Sequence, residues 1–176
     1  MLSAMPDSPA TVRWPRPLTT RRLLLRPVES RDVPAHARLW TDPEVRRHLG
    51  GPVDADVVRV REERCVGVPG LLSVVRQADG LVIGSLLVEP GARDGRTEIS
   101  YQLLPEHWGH GYAREAVRAA ADWIAAALPG RELVAVTQEA NAPSRRLLED
   151  LGATLTERFV EFGQPQVLYS LPIPTC

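Results

Sequence analysis

The sequence contains no lysine: all 21 basic residues are arginine. That removes Schiff-base chemistry at a lysine and any phosphate loop built around one. Cysteine is scarce, present only as Cys65 and Cys176. Two thiols make no disulfide framework. The four histidines (His36, His48, His107 and His110) are scattered, so no Cys/His cluster has metal-ligand spacing. Free thiols in a reducing compartment and no metal are expected. No apolar run reaches the ~18 residues that a membrane span needs. The first residues also lack the basic-then-apolar layout of a signal peptide, so a cytoplasmic protein without membrane attachment is expected. Aromatic residues are 5% of the chain and the formal net charge is −1. Neither favours a nucleic-acid surface, which needs basic and aromatic clusters.

What is present is an ordinary globular composition, 44% apolar and 24% charged over 176 residues. Residues 1–17 are rich in Pro, Ser and Thr and read as a loose arm; residues 18–176 read as one domain. Arg22 to Pro27 is a strand. Ser30 is the expected N-cap of a helix through Trp40, and Asp42-Pro43 starts another that Gly50-Gly51 ends. Residues 54–65 form a polar helix whose Arg59, Arg61, Glu62 and Glu63 mark a solvated face. Leu71 to Gln77 and Leu81 to Val88 form a hairpin, and a polar loop from Pro90 to Arg96 leads to the strand Thr97 to Leu104. From Ala113 the apolar positions Val117, Ala120, Ile124 and Ala127 recur at helical spacing. Leu133 to Thr137 is a strand, Asn141 to Leu151 a helix closed by Gly152, and two strands end the chain. The fold class is α+β, with a mixed, mostly antiparallel sheet and one β-α-β crossover.

That crossover carries the most informative run, Leu103-Leu104-Pro105-Glu106-His107-Trp108-Gly109-His110-Gly111-Tyr112-Ala113-Arg114-Glu115-Ala116. Two glycines just before a helix leave backbone N–H groups pointing outward, beside the positive end of the helix dipole. This is an anion site, unless the glycines serve only a tight bend. His110 and Arg114 add positive or protonatable groups. The lysine of a phosphate loop is missing, and so is the acidic residue ~20 positions on that a dinucleotide fold requires.

The chain resembles the GNAT acyltransferases, and within them the branch of ribosomal-protein N-terminal alanine acetyltransferases (RimJ/RimL-like). The resemblance runs from about Leu18 to Leu171. It is carried by Arg22 to Pro27, Asp42-Pro43-Glu44-Val45, Glu98-Ile99-Ser100-Tyr101, Trp108 to Ala113, and Asn141 to Arg146 with Leu151-Gly152. It implies a sheet splayed near the donor, helices on both faces, and acetyl-CoA as co-substrate. The pyrophosphate would lie on the turn formed by Gly109, His110, Gly111, Tyr112, Ala113 and Arg114. Backbone groups of Tyr101 to Leu104, Leu103 and Leu104 included, would pair with the pantetheine arm and polarise the thioester carbonyl. Asn141 would reach the same arm, or serve as a helix N-cap.

The implied reaction is direct attack of a primary amine on the acetyl carbon. The acceptor is a peptide or protein α-amine, or a small amine such as an amino-bearing antibiotic. A lysine-like amine of pKa ~10.4 is charged at pH 7, whereas an α-amine near ~7.7–8.0 is partly neutral, so a modest base suffices. Glu98 is the first candidate and Glu139 the second. For the leaving thiolate, the tyrosine many members carry is replaced here by Leu148; Ser144 is the substitute of this branch, and Tyr101 is a further candidate. Trp40, Asp42, Glu44, His48 and Glu139 are expected around the acceptor, where the acids would suit a cation. A monomer or homodimer is expected. The alternative is a catalytically silent CoA-binding or regulatory domain.

Overall fold

A computed structural model describes residues 17–172. Most of the arm, and Cys176, lie outside the described residues. The framework is a single eight-stranded sheet. Its strands are β1 (Leu18–Thr19), β2 (Leu23–Pro27), β3 (Leu71–Arg76), β4 (Leu81–Arg93), β5 (Arg96–Leu103), β6 (Leu133–Gln138), β7 (Thr154–Glu161) and β8 (Gln164–Leu171). They lie side by side in the order β1-β2-β3-β4-β5-β6-β8-β7. Every neighbouring pair is antiparallel except β5 and β6, which are parallel. The helices are α1 (Val33–Thr41), α2 (Ala55–Arg64), α3 (Tyr112–Ala127) and α4 (Ala142–Asp150).

α3 is the crossover between the two parallel strands. Its apolar stripe (Ala116, Val117, Ala120, Ala121 and Ile124) is buried against Leu23, Leu25, Ile83, Leu86, Ile99 and Leu133 of the sheet. Complete burial of side chains such as Val117 and Ile124 is worth roughly 1.5–3 kcal/mol each. A separate cluster of Val28, Trp40, Val58 and Cys65 packs α1 and α2 together on the other side.

The β5–β6 pairing is short. Only Thr97 with Leu133 and Glu98 with Val134 are in register, although both strands continue beyond those residues. Past Glu98 the strands diverge, and the edge of β5 that faces β6 has no strand partner. This is the expected splay.

Three local expectations change. The segment after Asp42 is a run of turns, not a helix. Its start is capped as predicted, with Asp42 Oδ1 accepting from the N–H groups of Glu44 and Val45 at 2.8 and 3.1 Å. The stretch before Gly50-Gly51-Pro52 is simply too short to offset helix nucleation. The polar loop of residues 90–96 is mostly strand: β4 runs on to Arg93, and Asp94-Gly95, with φ of 50° and 82°, turns directly into β5. Finally, Ser30 opens a short 3-10 turn, and Asp32 accepts from the backbone N–H of Glu29 at 2.9 Å.

Candidate active site

The β5 strand ends in the glycine run. Trp108 ties the run back to the strand, its indole Nε1 donating to the Leu103 carbonyl at 2.8 Å, while the Leu104 N–H donates to the Ile83 carbonyl at 2.9 Å. Gly109 and Gly111 both have φ of 77°, and Gly111 is the N-cap of α3. The first N–H to turn inward is that of Glu115, donating to the Gly111 carbonyl at 3.1 Å. The N–H groups of Gly109, His110, Gly111, Tyr112, Ala113 and Arg114 make no hydrogen bond among the described residues. Six consecutive donors at the N-terminus of a sixteen-residue helix form an anion cradle. An added Cβ at Gly109 would meet nothing within 4 Å, so the cradle is open on that side.

The cradle has a support that sequence reasoning missed. Arg22 Nη1 donates to the His110 carbonyl at 2.9 Å, and its guanidinium lies 4.6 Å from the centre of the Tyr112 ring. Glu115, in the first turn of α3, grips Arg22 in turn. Both residues belong to runs already singled out, but nothing in either run pairs them. Arg114 points elsewhere: its Nη2 donates to the Asp150 carbonyl at 3.2 Å, at the C-terminal end of α4.

Beside the splay the structure joins two predicted residues. The Tyr101 hydroxyl and Ser144 Oγ are 2.9 Å apart. Burial pushes the Tyr101 pKa up to about 12, with the Ser144 hydrogen bond pulling against it. Asn141 caps α4, its Oδ1 accepting from the Ser144 N–H at 3.3 Å, so the cap also places Ser144.

The two carboxylate candidates are separated. Glu98 sits at the fork, in the last parallel pair, and accepts from Arg93 Nε at 3.1 Å. Directly across the β4–β5 ladder lies Glu89, whose pKa is raised by burial and by the charge of Glu98. The ladder has a bulge between Glu89 and Arg93, and this pairing was not foreseen. Glu139 is bound instead by Arg158 Nε at 3.1 Å.

On the face of the sheet toward α1 and α2 is a cavity of about 400 Å³. Trp40 lines it, as do Ser100, Tyr101 and Gln102 of β5. Asp42 is spent on its turn and does not reach the cavity. His48 meets Gln138 at the end of β6, its Nδ1 lying 3.3 Å from Oε1. The charged groups that do line it are Arg46, Arg61 and Arg64. Arg61 therefore faces a cavity, where the sequence suggested a solvated face; it stands 5.7 Å from the centre of the Trp40 ring.

Residues 22–154 match the family model described as an acetyltransferase (GNAT) domain. The chain belongs to the GNAT acetyltransferases. It is 31% identical over 144 residues to an uncharacterised N-acetyltransferase, p20, of Bacillus licheniformis, covering 76% of this chain and 80% of that one. Its fold is that of a GNAT-family acetyltransferase from Bacillus anthracis (TM-score 0.79, 21% identity, 89% of this chain and 98% of the other). The ribosomal-protein-S5-alanine acetyltransferase of Vibrio fischeri also shares it (TM-score 0.70, 17% identity, 90% and 97%). This GNAT chain is thus an acyltransferase that uses acetyl-CoA, and the cradle fits that co-substrate: unpaired N–H groups suit a pyrophosphate, and an unpartnered strand edge suits the amides of a pantetheine arm.

Proposed function

We propose that this protein N-acetylates a primary amine by direct attack, with the donor along the β5–β6 fork and the acceptor entering from the α1–α2 face. The observation that carries this reading is the junction of three features: the cradle of six N–H groups, the open edge of β5 leading into it, and the Tyr101–Ser144 hydroxyl pair beside that edge. Acetyl-CoA supplies an acetyl thioester with a thiol as leaving group. Gly109 to Arg114 hold its phosphates through amides, and the unpaired edge of β5 orients the arm.

Glu98 takes the proton of the incoming amine, directly or through one water. Arg93 keeps Glu98 oriented, and Glu89 stands one strand away. Tyr101 stays protonated at physiological pH and donates through its hydroxyl, with Ser144 as the partner that hands a proton toward the departing sulfur. A thiol of pKa near ~8.5 needs little help to leave, so this pair refines the rate and does not create it. Asn141 positions Ser144, and Glu139, tied to Arg158, is assigned no proton.

Thiol release from acetyl-CoA, measured against a panel of small amines and peptide N-termini, tests the reading. Turnover with at least one amine is expected. Tight acetyl-CoA binding with no turnover on any amine would instead identify a silent CoA-binding domain.

A further inference from the structure

The cavity beside the fork carries a charge pattern opposite to the acidic one expected around the acceptor. Arg46, Arg61 and Arg64 line it, and no Asp or Glu does. Of the nearby carboxylates, Glu44 pairs with Arg47 and Asp56 with Arg59, and Glu62 and Glu63, on α2 between Arg61 and Arg64, do not line the cavity. Among the described residues none of the three arginines has an ion-pair partner. Arg46 is held in place by the backbone, Nε donating to the Gly51 carbonyl at 2.9 Å and Nη2 to the Leu49 carbonyl. It is half-buried, and both burial and the charge of Arg61 push its pKa down. Three guanidiniums facing one small space repel one another, and desolvation adds to the cost. A molecule with net charge −1 has no general reason to concentrate positive charge there.

The floor of the cavity adds an independent sign. Gln102 lines it, and Gln102 Oε1 is buried with no hydrogen-bond partner among the described residues. A buried acceptor left unpaired is costly, and a ligand N–H at that position would relieve it. The cavity therefore has a polar end on β5, reaching Tyr101, and a cationic rim on α2 and the turns after α1. Its volume is near the lower end of the roughly 300–1,000 Å³ typical of small-molecule sites.

Resting on the N-acetyltransferase reading, we propose that the acceptor is a small primary amine that also carries a carboxylate or a phosphate. Arg46, Arg61 and Arg64 bind the anionic group, and Gln102 accepts from the amine end. Guanidinium forks suit both anions, and their charge-assisted hydrogen bonds are stronger than neutral ones.

The test uses the full chain, acetyl-CoA and two matched probe pairs: L-phenylalanine with L-phenylalaninamide, and O-phosphoethanolamine with ethanolamine. In at least one pair the anionic member should have a KM at least tenfold lower, and the pair that responds tells carboxylate from phosphate. Arg61→Gln with Arg64→Gln should erase that preference while leaving the KM for acetyl-CoA unchanged. Arg46 is spared in this variant because its backbone contacts also support the turn. A second readout needs no turnover: the preferred anionic probe should raise Tm in the wild type and not in the double variant. Equal or better use of the neutral members, or a preference that survives the double variant, overturns the proposal. Anion-dependent Tm shifts without turnover on any amine would keep the site and sink the N-acetyltransferase reading. Turnover confined to neutral amines would do the reverse.

Discussion

Glu115 holds Arg22 across the front of α3, with 2.7 Å between Arg22 Nε and Glu115 Oε2. The other oxygen, Oε1, accepts from the Arg22 N–H at 2.9 Å and from the Thr20 hydroxyl at 2.6 Å. One carboxylate thus locks the β1–β2 corner to the helix that forms the cradle. Arg22, so fixed, supports the turn through the His110 carbonyl. On the proposed reading, binding of the donor and stability of the fold share a part.

This coupling predicts a pH signature. Burial pushes the Glu115 pKa up, but hydrogen bonds from Thr20 and Arg22 outweigh it and hold the group below the ordinary carboxylate range. A depressed carboxylate stabilises the fold above its unfolded pKa of ~4.3, and that contribution fades as the pH falls through the folded value. Glu115→Gln should cost about 1–3 kcal/mol at neutral pH, as for loss of a charged hydrogen-bonding group. The gap to wild type should close below about pH 4. Denaturant unfolding at several pH values measures it, and a gap that persists unchanged at pH 3 would remove the electrostatic explanation. Arg22→Ala should in addition weaken acetyl-CoA binding in calorimetry.

Gly111 separates backbone strain from charge. A Cβ there would find its nearest neighbour, Arg22 Nη2, at 3.5 Å, so space is available, but φ of 77° penalises any other residue by about 1–2 kcal/mol. Gly111→Ala should lower unfolding stability by that amount and weaken acetyl-CoA binding modestly. Gly111→Glu adds a carboxylate where an anion is to sit, and should lose far more affinity than Ala at similar stability. Equal affinities for the two variants would mean that the cradle does not hold phosphate.

Much of this architecture was readable from the chain. The Gly109–Gly111 turn, the α3 stripe and the Asn141 cap are local, set by residues a few positions apart, and local patterns survive into the fold. The Tyr101–Ser144 pair was half readable, since both residues were named but not their contact, which depends on how α4 seats on the sheet. Non-local pairings escaped. Arg22 and Glu115 lie 93 residues apart, and Glu89 meets Glu98 only through a bulge that the Asp94-Gly95 turn does not announce. The arginine cavity escaped for a third reason. Arg61 looks like any charge on a polar helix until Trp40 and the turn bearing Arg46 are placed against it, because the sequence pattern of an exposed face and of a ligand-facing one is the same.

The Tyr101–Ser144 pair predicts an unequal effect on binding and chemistry. Ser144→Ala leaves the Asn141 cap in place, since the cap uses the Ser144 backbone N–H. It should lower kcat roughly tenfold with little change in the KM for acetyl-CoA. Tyr101→Phe should do the same, and the double variant should lose little more, because the two hydroxyls act as a unit. With its pKa pushed up to about 12, Tyr101 keeps its proton throughout the usual assay range, so it should add no alkaline limb to kcat below about pH 10. The raised value also means that its contribution to stability is complete below the unfolded pKa of ~10 and is lost as the pH climbs toward 12. Wild-type turnover in Ser144→Ala would reduce Ser144 to a helix-start residue.

The base assignment is tested by the shape of a pH profile. Glu98 stands at the fork, on the same sheet face as Ser100 and Gln102, about 7 Å along the strand from Ser100 at ~3.3 Å per residue. If it takes the amine proton, Glu98→Gln should reduce kcat/KM by roughly 100-fold near pH 7. The deficit should shrink above the pKa of the acceptor, where the amine arrives neutral without help. Arg93 would still have Glu161, to which its Nη1 donates at 3.2 Å, so the surrounding strands should keep their stability. Glu89→Gln is the informative control. It removes the like charge across the ladder while leaving Glu98 in place, and should not abolish activity. A uniform loss across pH in Glu98→Gln, or a larger loss in Glu89→Gln, would move the base from Glu98 to another group.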